Sequence, residues 1–150
     1  MKPIKTYYTN GQLKEQYYVL NDKANGEYKM WWHTNGQLYI HTHYVDDKRN
    51  GEYTQWYENG QLNLTTHYVN GKHQGEHKEW YENGQLSIHK YYMNDQLHGE
   101  CKAWNTQGDL VVHAFWLNDK EVTEQVKNLI TDINHITQQE RILIKLAIGC

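Results

Sequence analysis

The chain of 150 residues contains little of several residue types that folded proteins commonly use. It has one proline, one phenylalanine and two cysteines. Cys101 and Cys150 are too few for a disulfide framework and are wrongly spaced for a zinc site. The sequence also shows no apolar signal region and no run long enough to span a membrane. We therefore expect a cytoplasmic protein without a transmembrane segment.

An excess of positive charge is also absent. The formal net charge is -3, from 15 basic and 18 acidic residues. The two signs are interspersed along the chain, so the sequence shows no basic patch that would attract a phosphate backbone. We therefore expect no nucleic acid among the partners.

Aromatic residues supply most of the apolar surface that the sequence offers. There are 13 tyrosines and 6 tryptophans, whereas aliphatic residues are sparse in the greater part of the chain. Amphipathic rings can turn one side inward and keep a polar tip in water. This composition is typical of a thin sheet more than of a thick sandwich.

A period of 24 residues organises the chain. The segment WYENGQL at 56–62 returns unchanged at 80–86. Turn glycines recur at intervals of 25, 24, 24 and 24 residues. They are Gly11, Gly36, Gly60, Gly84 and Gly108. A second series of Gly-Glu pairs begins at Gly26, Gly51, Gly75 and Gly99. Such a period is the signature of a repeat architecture.

Each repeat is predicted to form a β-hairpin. Asn59-Gly60 lies between runs rich in Tyr, Trp and Thr, and a two-residue type I′ turn there places Gly51 opposite Tyr68. The same register pairs later Gly-Glu glycines with Tyr92 and Trp116. In the first repeat, a three-residue loop over 34–36 absorbs one inserted residue.

The alternation of the strands predicts two different faces. The returning strands carry Leu62, Leu64 and Tyr68 on one face, with equivalents in the other repeats. The outgoing strands carry tryptophans on the opposite face. Successive hairpins joined by short loops give an elongated antiparallel array, in which each unit packs only on its neighbours.

The last part of the chain follows a helical period. Val122, Val126, Leu129 and Ile133 fall on one helical face, and TQQE at 137–140 is a capping box for a second helix. We predict a mainly β protein: an antiparallel β-hairpin repeat array over 1–120, and a C-terminal α-helical hairpin cap over 121–150.

The repeat unit, with its NGQL turn, GK-x-x-GE segment and WY pair, resembles MORN repeats and is most similar to the variant repeats of YwqK-like proteins, which are often labelled antitoxins. The resemblance covers about residues 7–120. Gln107-Gly108-Asp109 departs from the Asn-Gly-Gln pattern. The resemblance implies a hairpin array used for protein interaction or oligomerisation and, in some members, for contact with membrane lipid.

The histidines do not predict a metal site or a cofactor. His41, His89 and His113 occupy one repeat position. Equivalent strands lie about 10 Å apart, which is too far for neighbouring copies to share an ion. A ladder of solvated polar positions explains them better.

Two further polar patterns have simple structural explanations. His67 opposite Glu52 resembles a general-base pair, but the third and fourth repeats have Tyr91 and Phe115 at that position. The repeated glutamates of the Gly-Glu pairs are balanced by Lys29, Lys78 and Lys102, two residues further on in their repeats. We expect no enzymatic activity.

The tryptophan row is the strongest candidate binding feature. Its members are Trp32, Trp56, Trp80 and Trp104, with Trp31 as the alternative to Trp32 in the first repeat. Rings at this spacing can anchor a partner protein or stack on sugars, and they can also pack on one another as the core of the sheet. We expect a scaffold that binds another protein or a second copy of itself. The alternatives are a glycan- or lipid-binding module and an antitoxin-like protein.

Overall fold

The computed structural model describes residues 2–122, which form fifteen β-strands. The strands are β1 (Ile4–Tyr7), β2 (Leu13–Tyr17), β3 (Val19–Leu20), β4 (Lys23–Ala24), β5 (Gly26–Trp31), β6 (Leu38–Val45), β7 (Lys48–Arg49), β8 (Gly51–Trp56), β9 (Leu62–Val69), β10 (Lys72–Trp80), β11 (Leu86–Met93), β12 (Gln96–Leu97), β13 (Gly99–Trp104), β14 (Leu110–Leu117) and β15 (Lys120–Glu121).

Thirteen of these strands form one antiparallel sheet that follows the order of the chain. The order is β1-β2-β5-β6-β8-β9-β10-β11-β13-β14-β15, with β7 paired to β6 and β12 paired to β11. Strands β3 and β4 make a separate two-stranded sheet. This arrangement confirms the prediction of an antiparallel hairpin array. We call β5–β6, β8–β9, β10–β11 and β13–β14 the first to fourth hairpins.

The helical cap predicted from the period that begins at Val122 lies outside the described residues, except for Val122 itself. The Val122 amide donates to the Phe115 carbonyl at 2.7 Å. The last described strand, Lys120–Glu121, spans the domain boundary predicted between 120 and 121.

The predicted register of the hairpins is confirmed over most of their length. Gly51 lies opposite Tyr68 in the second hairpin, and Gly26 lies opposite Tyr44 in the first. The third and fourth hairpins repeat this match with Tyr92 and Trp116. The inserted residue is therefore absorbed in the first loop, as expected.

The turn predicted at Asn59-Gly60 is wrong in type. The Gly60 amide donates to the Tyr57 carbonyl at 3.0 Å, and the Tyr57 amide donates to the Gln61 carbonyl at 2.8 Å. Gly60 has a φ of 81°, whereas Asn59 is not among the residues with positive φ. The loop therefore has three residues, with glycine at the left-handed position. The corresponding first loop spans 33–36 and is one residue longer than predicted, since the Trp32 amide donates to the Gln37 carbonyl.

Type I′ turns lie at the other end of the hairpins, where each returning strand leads into the next repeat. At Asn70-Gly71 the φ angles are 52° and 84°, and Val69 pairs directly with Lys72. Asp46-Asp47 and Asn94-Asp95 also have positive φ at both residues. Asn and Asp tolerate this conformation better than other residues with side chains. These two-residue turns stand where the sequence predicted short connecting loops.

An extra residue in each returning strand changes which side chains share a face. Gln55 pairs with Leu64, but Trp56 pairs with Leu62, so Asn63 is left over as a bulge. Directly opposite residues share a face. Leu62 therefore lies on the same face as Trp56, and the prediction that it shares a face with Leu64 is wrong. The other hairpins have the same shift.

The most buried side chains lie on the face that we call the tyrosine face, marked by Tyr28, Tyr44, Tyr53, Tyr68 and Tyr92. Tyr53 and Tyr68 are each 8% exposed and are the only buried apolar residues in the 2–122 range. Their ring centroids are 6.1 Å apart. The Arg49 guanidinium carbon lies 5.0 Å from the Tyr53 ring centroid and 5.3 Å from that of Tyr68. Aromatic rings and a stacked cation thus take the place of an aliphatic core.

His73 extends this face into the third hairpin. Its Nε2 lies 2.9 Å from the Tyr68 hydroxyl oxygen, and its Nδ1 lies 3.2 Å from Thr66 Oγ1. The ring also packs on Tyr92, with centroids 5.0 Å apart. Burial, with a smaller contribution from nearby His77, lowers the pKa of His73 below its ordinary value of 6.5.

This shift predicts a pH dependence of stability. A lowered histidine pKa contributes stability in full above 6.5, and the contribution is lost as the pH falls through the lower folded pKa. We expect the free energy of unfolding, measured by urea denaturation, to begin falling below pH 6.5. Leu97 holds the corresponding position after β11, so His73→Leu is the matched variant and should remove this step. If the free energy of unfolding of His73→Leu falls below pH 6.5 as it does in the wild type, other groups cause the fall.

Candidate functional site

The candidate site is the face that we call the tryptophan face, marked by Trp31, Trp56, Trp80 and Trp104. Each of these residues ends an outgoing strand and has a leucine as its cross-strand partner. The leucines are Leu38, Leu62, Leu86 and Leu110. The indole rings are half-buried. The structure thus brings Trp56, Trp80 and Trp104 into one row, as predicted.

Trp31 completes this row, and Trp32 does not. Trp31 pairs with Leu38 in the register of the other three tryptophans. Trp32 is the next residue and occupies the position of Tyr57 in the following repeat. Its ring packs on Tyr39, with centroids 4.1 Å apart. The placement of Trp32 in the row is therefore wrong, and the alternative, Trp31, holds that position.

Trp32 belongs to a series of side-chain hydrogen bonds that connect each repeat to the next. Its Nε1 donates to the Trp56 carbonyl at 3.2 Å. Tyr57 and Tyr81 donate through their hydroxyls to the carbonyls of Trp80 and Trp104, at 2.7 and 2.8 Å. The Tyr8 hydroxyl makes the same bond to the Trp31 carbonyl at 2.8 Å, so the backbone of every row tryptophan is held by the preceding segment of the chain. These bonds fix the spacing of the row.

Ion pairs within a strand and between strands lie beside the row on the same face. Glu76 Oε1 accepts from Lys78 Nζ at 2.8 Å and lies 2.9 Å from His89 Nε2. Glu100 has the same contacts with Lys102 and His113. The predicted balancing of the glutamates by lysines is confirmed in these hairpins and in the first.

These contacts keep the glutamates ionised. The hydrogen bond from Lys78, and then that from His89, lowers the pKa of the Glu76 carboxyl below its ordinary value of 4.5, against the opposing effect of burial. Burial alone would raise the pKa of Glu100, but the hydrogen bonds from Lys102 and His113 outweigh it, and the pKa is lowered. The face therefore carries alternating fixed charges next to indole rings.

The second hairpin lacks the charged partners. Thr54 and Thr65 stand where the other hairpins have lysine and histidine. Glu52 and His67 are cross-strand neighbours, as predicted, but the Glu52 carboxylate accepts from the Thr54 hydroxyl at 3.4 Å. This arrangement leaves the face near Trp56 less charged than elsewhere.

One polar cluster was missed in the sequence. Glu27, His41 and His43 bring a carboxylate oxygen and two imidazole nitrogens within 4.8 Å of one another. His41, His89 and His113 belong to different repeats, whereas His41 and His43 belong to the same strand. The signal that identifies them is the spacing His41-Thr42-His43, since residues two apart on a strand share a face.

Two shallow depressions mark the described surface. One, of about 360 Å³, lies on the tyrosine face and is lined by Tyr17, Tyr28 and Tyr44, among others. The other, of about 310 Å³, is lined by Gln85, Leu86, Trp104 and Gly108. Only the second touches the tryptophan row. Both are too open to enclose a small substrate.

A family model described as "MORN repeat variant" matches residues 3–21, 25–46, 49–70 and 74–94. These segments make up more than half of the chain and cover β1–β2 and the first three hairpins, whereas the fourth hairpin lies outside the match. The chain belongs to the MORN repeat variant family. The match lends no support to the narrower YwqK-like, antitoxin-labelled type.

Other comparisons add little to this MORN repeat assignment. No curated protein matches the chain. Among solved structures, it is similar to a chain of the "crystal structure of GtfA/B complex bound to UDP and GlcNAc", at 12% identity and a TM-score of 0.36. The match covers 74% of this chain and 25% of that one, so this chain spans about a quarter of its length. Residues 2–122 contain no helix with the length and hydropathy needed to cross a membrane.

Proposed function

We propose that this MORN repeat protein is a non-enzymatic cytoplasmic scaffold that binds another protein through its tryptophan face. The observation that carries the proposal is the register of Trp31, Trp56, Trp80 and Trp104, which places four indoles on one face at equivalent positions. Neighbouring members lie on alternate strands, two strand spacings or about 10 Å apart. Tryptophan is enriched among the residues that dominate the affinity of protein interfaces.

The surroundings of the row also favour an extended partner. The Lys–Glu–His contacts next to Trp80 and Trp104 supply charges of both signs at the rim of the apolar strip. Such a rim favours specificity, since a wrong partner meets like charge. The ion pairs beside Trp80 and Trp104 lie on an open sheet face, which supports binding more than catalysis.

The test is affinity capture from the native cell lysate with the wild-type chain and with Trp56→Ala/Trp80→Ala. We expect a protein that the wild type retains and the double variant loses, because truncating an interface tryptophan costs about 2 kcal/mol or more. Circular dichroism and urea denaturation establish that the variant is folded. Trp56→Phe/Trp80→Phe serves if the alanine variant does not fold.

A matched control replaces the neighbouring residues on the tyrosine face. Gln55 and Glu79 precede Trp56 and Trp80, and the fourth hairpin has Ala103 at that position. Gln55→Ala/Glu79→Ala should retain the partner. If only Gln55→Ala/Glu79→Ala loses the partner, the interface lies on the tyrosine face. Retention by both variants would move it to a sheet edge.

A small-ligand role is the second candidate. The depression beside Trp104, Leu86 and Gly108 favours it, because a sugar ring can stack on the open side of a half-buried indole. Quenching of tryptophan fluorescence by a glycan panel, or co-sedimentation with anionic lipid vesicles, would support this role. Capture of a known toxin would support an antitoxin-like role, and capture of the chain itself would indicate oligomerisation.

A further inference from the structure

We propose that Glu27, His41 and His43 bind a divalent transition-metal ion of the zinc type on the tryptophan face of the first hairpin. Strands β5 and β6 bring the three residues together, with Glu27 directly opposite His43. His41 Nε2 lies 2.9 Å from Glu27 Oε1, and all three ligand atoms lie within 4.8 Å of one another.

The donor set has the chemistry that Zn²⁺ prefers. Two imidazoles and one carboxylate recur in zinc sites, where metal–ligand distances are about 2.0–2.2 Å and water takes the fourth position. Ligands around one ion at those distances lie within about 4 Å of one another. The exposed His43 ring supplies the small movement that is required, since it lies at the surface of the sheet.

The cluster in the first hairpin differs from the Glu–His contacts of the other hairpins by one additional histidine. Only the first of the four hairpins has histidine at both positions of the returning strand. The second has Thr65 and His67 there, the third has His89 and Tyr91, and the fourth has His113 and Phe115. Glu27 and His41 therefore belong to the common pattern, and His43 adds the further ligand.

Lys29 is the competitor for this site. Its Nζ lies 2.7 Å from Glu27 Oε1, and this contact is the main cause of the lowered Glu27 pKa. A bound cation must displace the ammonium group from the carboxylate. The affinity is therefore lower than that of a site with free ligands, and Lys29→Thr, which copies Thr54 of the second hairpin, should increase it.

The experiment is isothermal titration of the untagged full-length chain with Zn²⁺ at neutral pH. We expect wild type to show a site that His43→Tyr removes and that His67→Tyr leaves unchanged. Tyrosine occurs naturally at this position as Tyr91, so the fold accommodates both substitutions. Thr65→His should create an additional site in the second hairpin, where a lysine competitor is absent.

A shift in thermal unfolding provides a second measurement, because an ion that binds only the folded state raises the unfolding temperature. Excess Zn²⁺ should raise it in wild type and fail to do so in His43→Tyr. The absence of binding in wild type, or equal binding in wild type and His43→Tyr, would overturn the proposal. Failure of Thr65→His to add a site would contradict the requirement for two imidazoles on one strand.

Discussion

Tyr53→Ala is expected to lower the free energy of unfolding by about 3–5 kcal/mol, the usual cost of truncating a buried aromatic ring. The Tyr53 side chain is 8% exposed, packs edge-on against Tyr68 and carries the Arg49 guanidinium over its face. Its hydroxyl also donates to Gln55 Oε1 at 3.0 Å. Removing the ring therefore leaves a cavity in the middle of the tyrosine face. Urea denaturation followed by circular dichroism measures the loss.

The fourth hairpin provides the control. Cys101 occupies the position of Tyr53, opposite Ala114 instead of Thr66, and is only half-buried. We expect Cys101→Ala to cost about 1 kcal/mol or less, as is typical of a small change. If Tyr53→Ala were no more costly than Cys101→Ala, the tyrosine face would not be the core of the sheet.

Two glycines with positive φ are expected to respond to substitution in opposite directions. Gly51→Ala should lower the free energy of unfolding by about 1–3 kcal/mol, because its φ of 105° lies where side chains are strained. An added Cβ meets no atom within 4 Å, so the loss reports backbone strain alone. Gly71→Asp should instead raise it by about 0.5–1.5 kcal/mol, the net value of one hydrogen bond.

The gain at Gly71 follows from the equivalent turns. Asp95 Oδ1 accepts from the His73 amide at 2.7 Å, and Asp47 Oδ1 accepts from the Ala24 amide at the same distance. The Gly71 amide donates to the Arg49 carbonyl at 2.8 Å, but glycine has no carboxylate that could accept the second hydrogen bond. Gly71→Ala adds a side chain without a carboxylate, so the difference between Gly71→Asp and Gly71→Ala gives the contribution of the carboxylate hydrogen bond. Destabilisation by Gly71→Asp comparable to that of Gly51→Ala would contradict this account of the turn.

The register could be predicted because the repeats constrain one another. Folding each hairpin about its turn glycine places every Gly-Glu glycine opposite an aromatic residue, as Gly51 lies opposite Tyr68. The turn types could not be assigned in the same way, because Asn-Gly serves two purposes. At Asn59 the side-chain oxygen accepts from the Gln61 amide and supports a longer loop, whereas at Asn70 the backbone itself takes the left-handed conformation.

The error about the faces has the same origin. Strict alternation places Leu62 with Leu64, and a single bulged residue, Asn63, reverses that relation without any change in composition. The sequence likewise offered no way to choose between Trp31 and Trp32, since the choice depends on which one pairs with Leu38. The 24-residue period did not predict the cluster at His43, because it relates equivalent positions of different repeats, whereas His41 and His43 are neighbours on one strand.

The most direct test of the central claim, that the tryptophan face is the binding surface, is photocrosslinking in living cells. A benzophenone amino acid replaces Tyr91, which lies on the tryptophan face and is 36% exposed, or Gln55, which lies on the tyrosine face. We predict that irradiation joins a second protein to the chain from position 91 and not from position 55. A crosslinked product from position 55 alone, or from neither position, would contradict the claim.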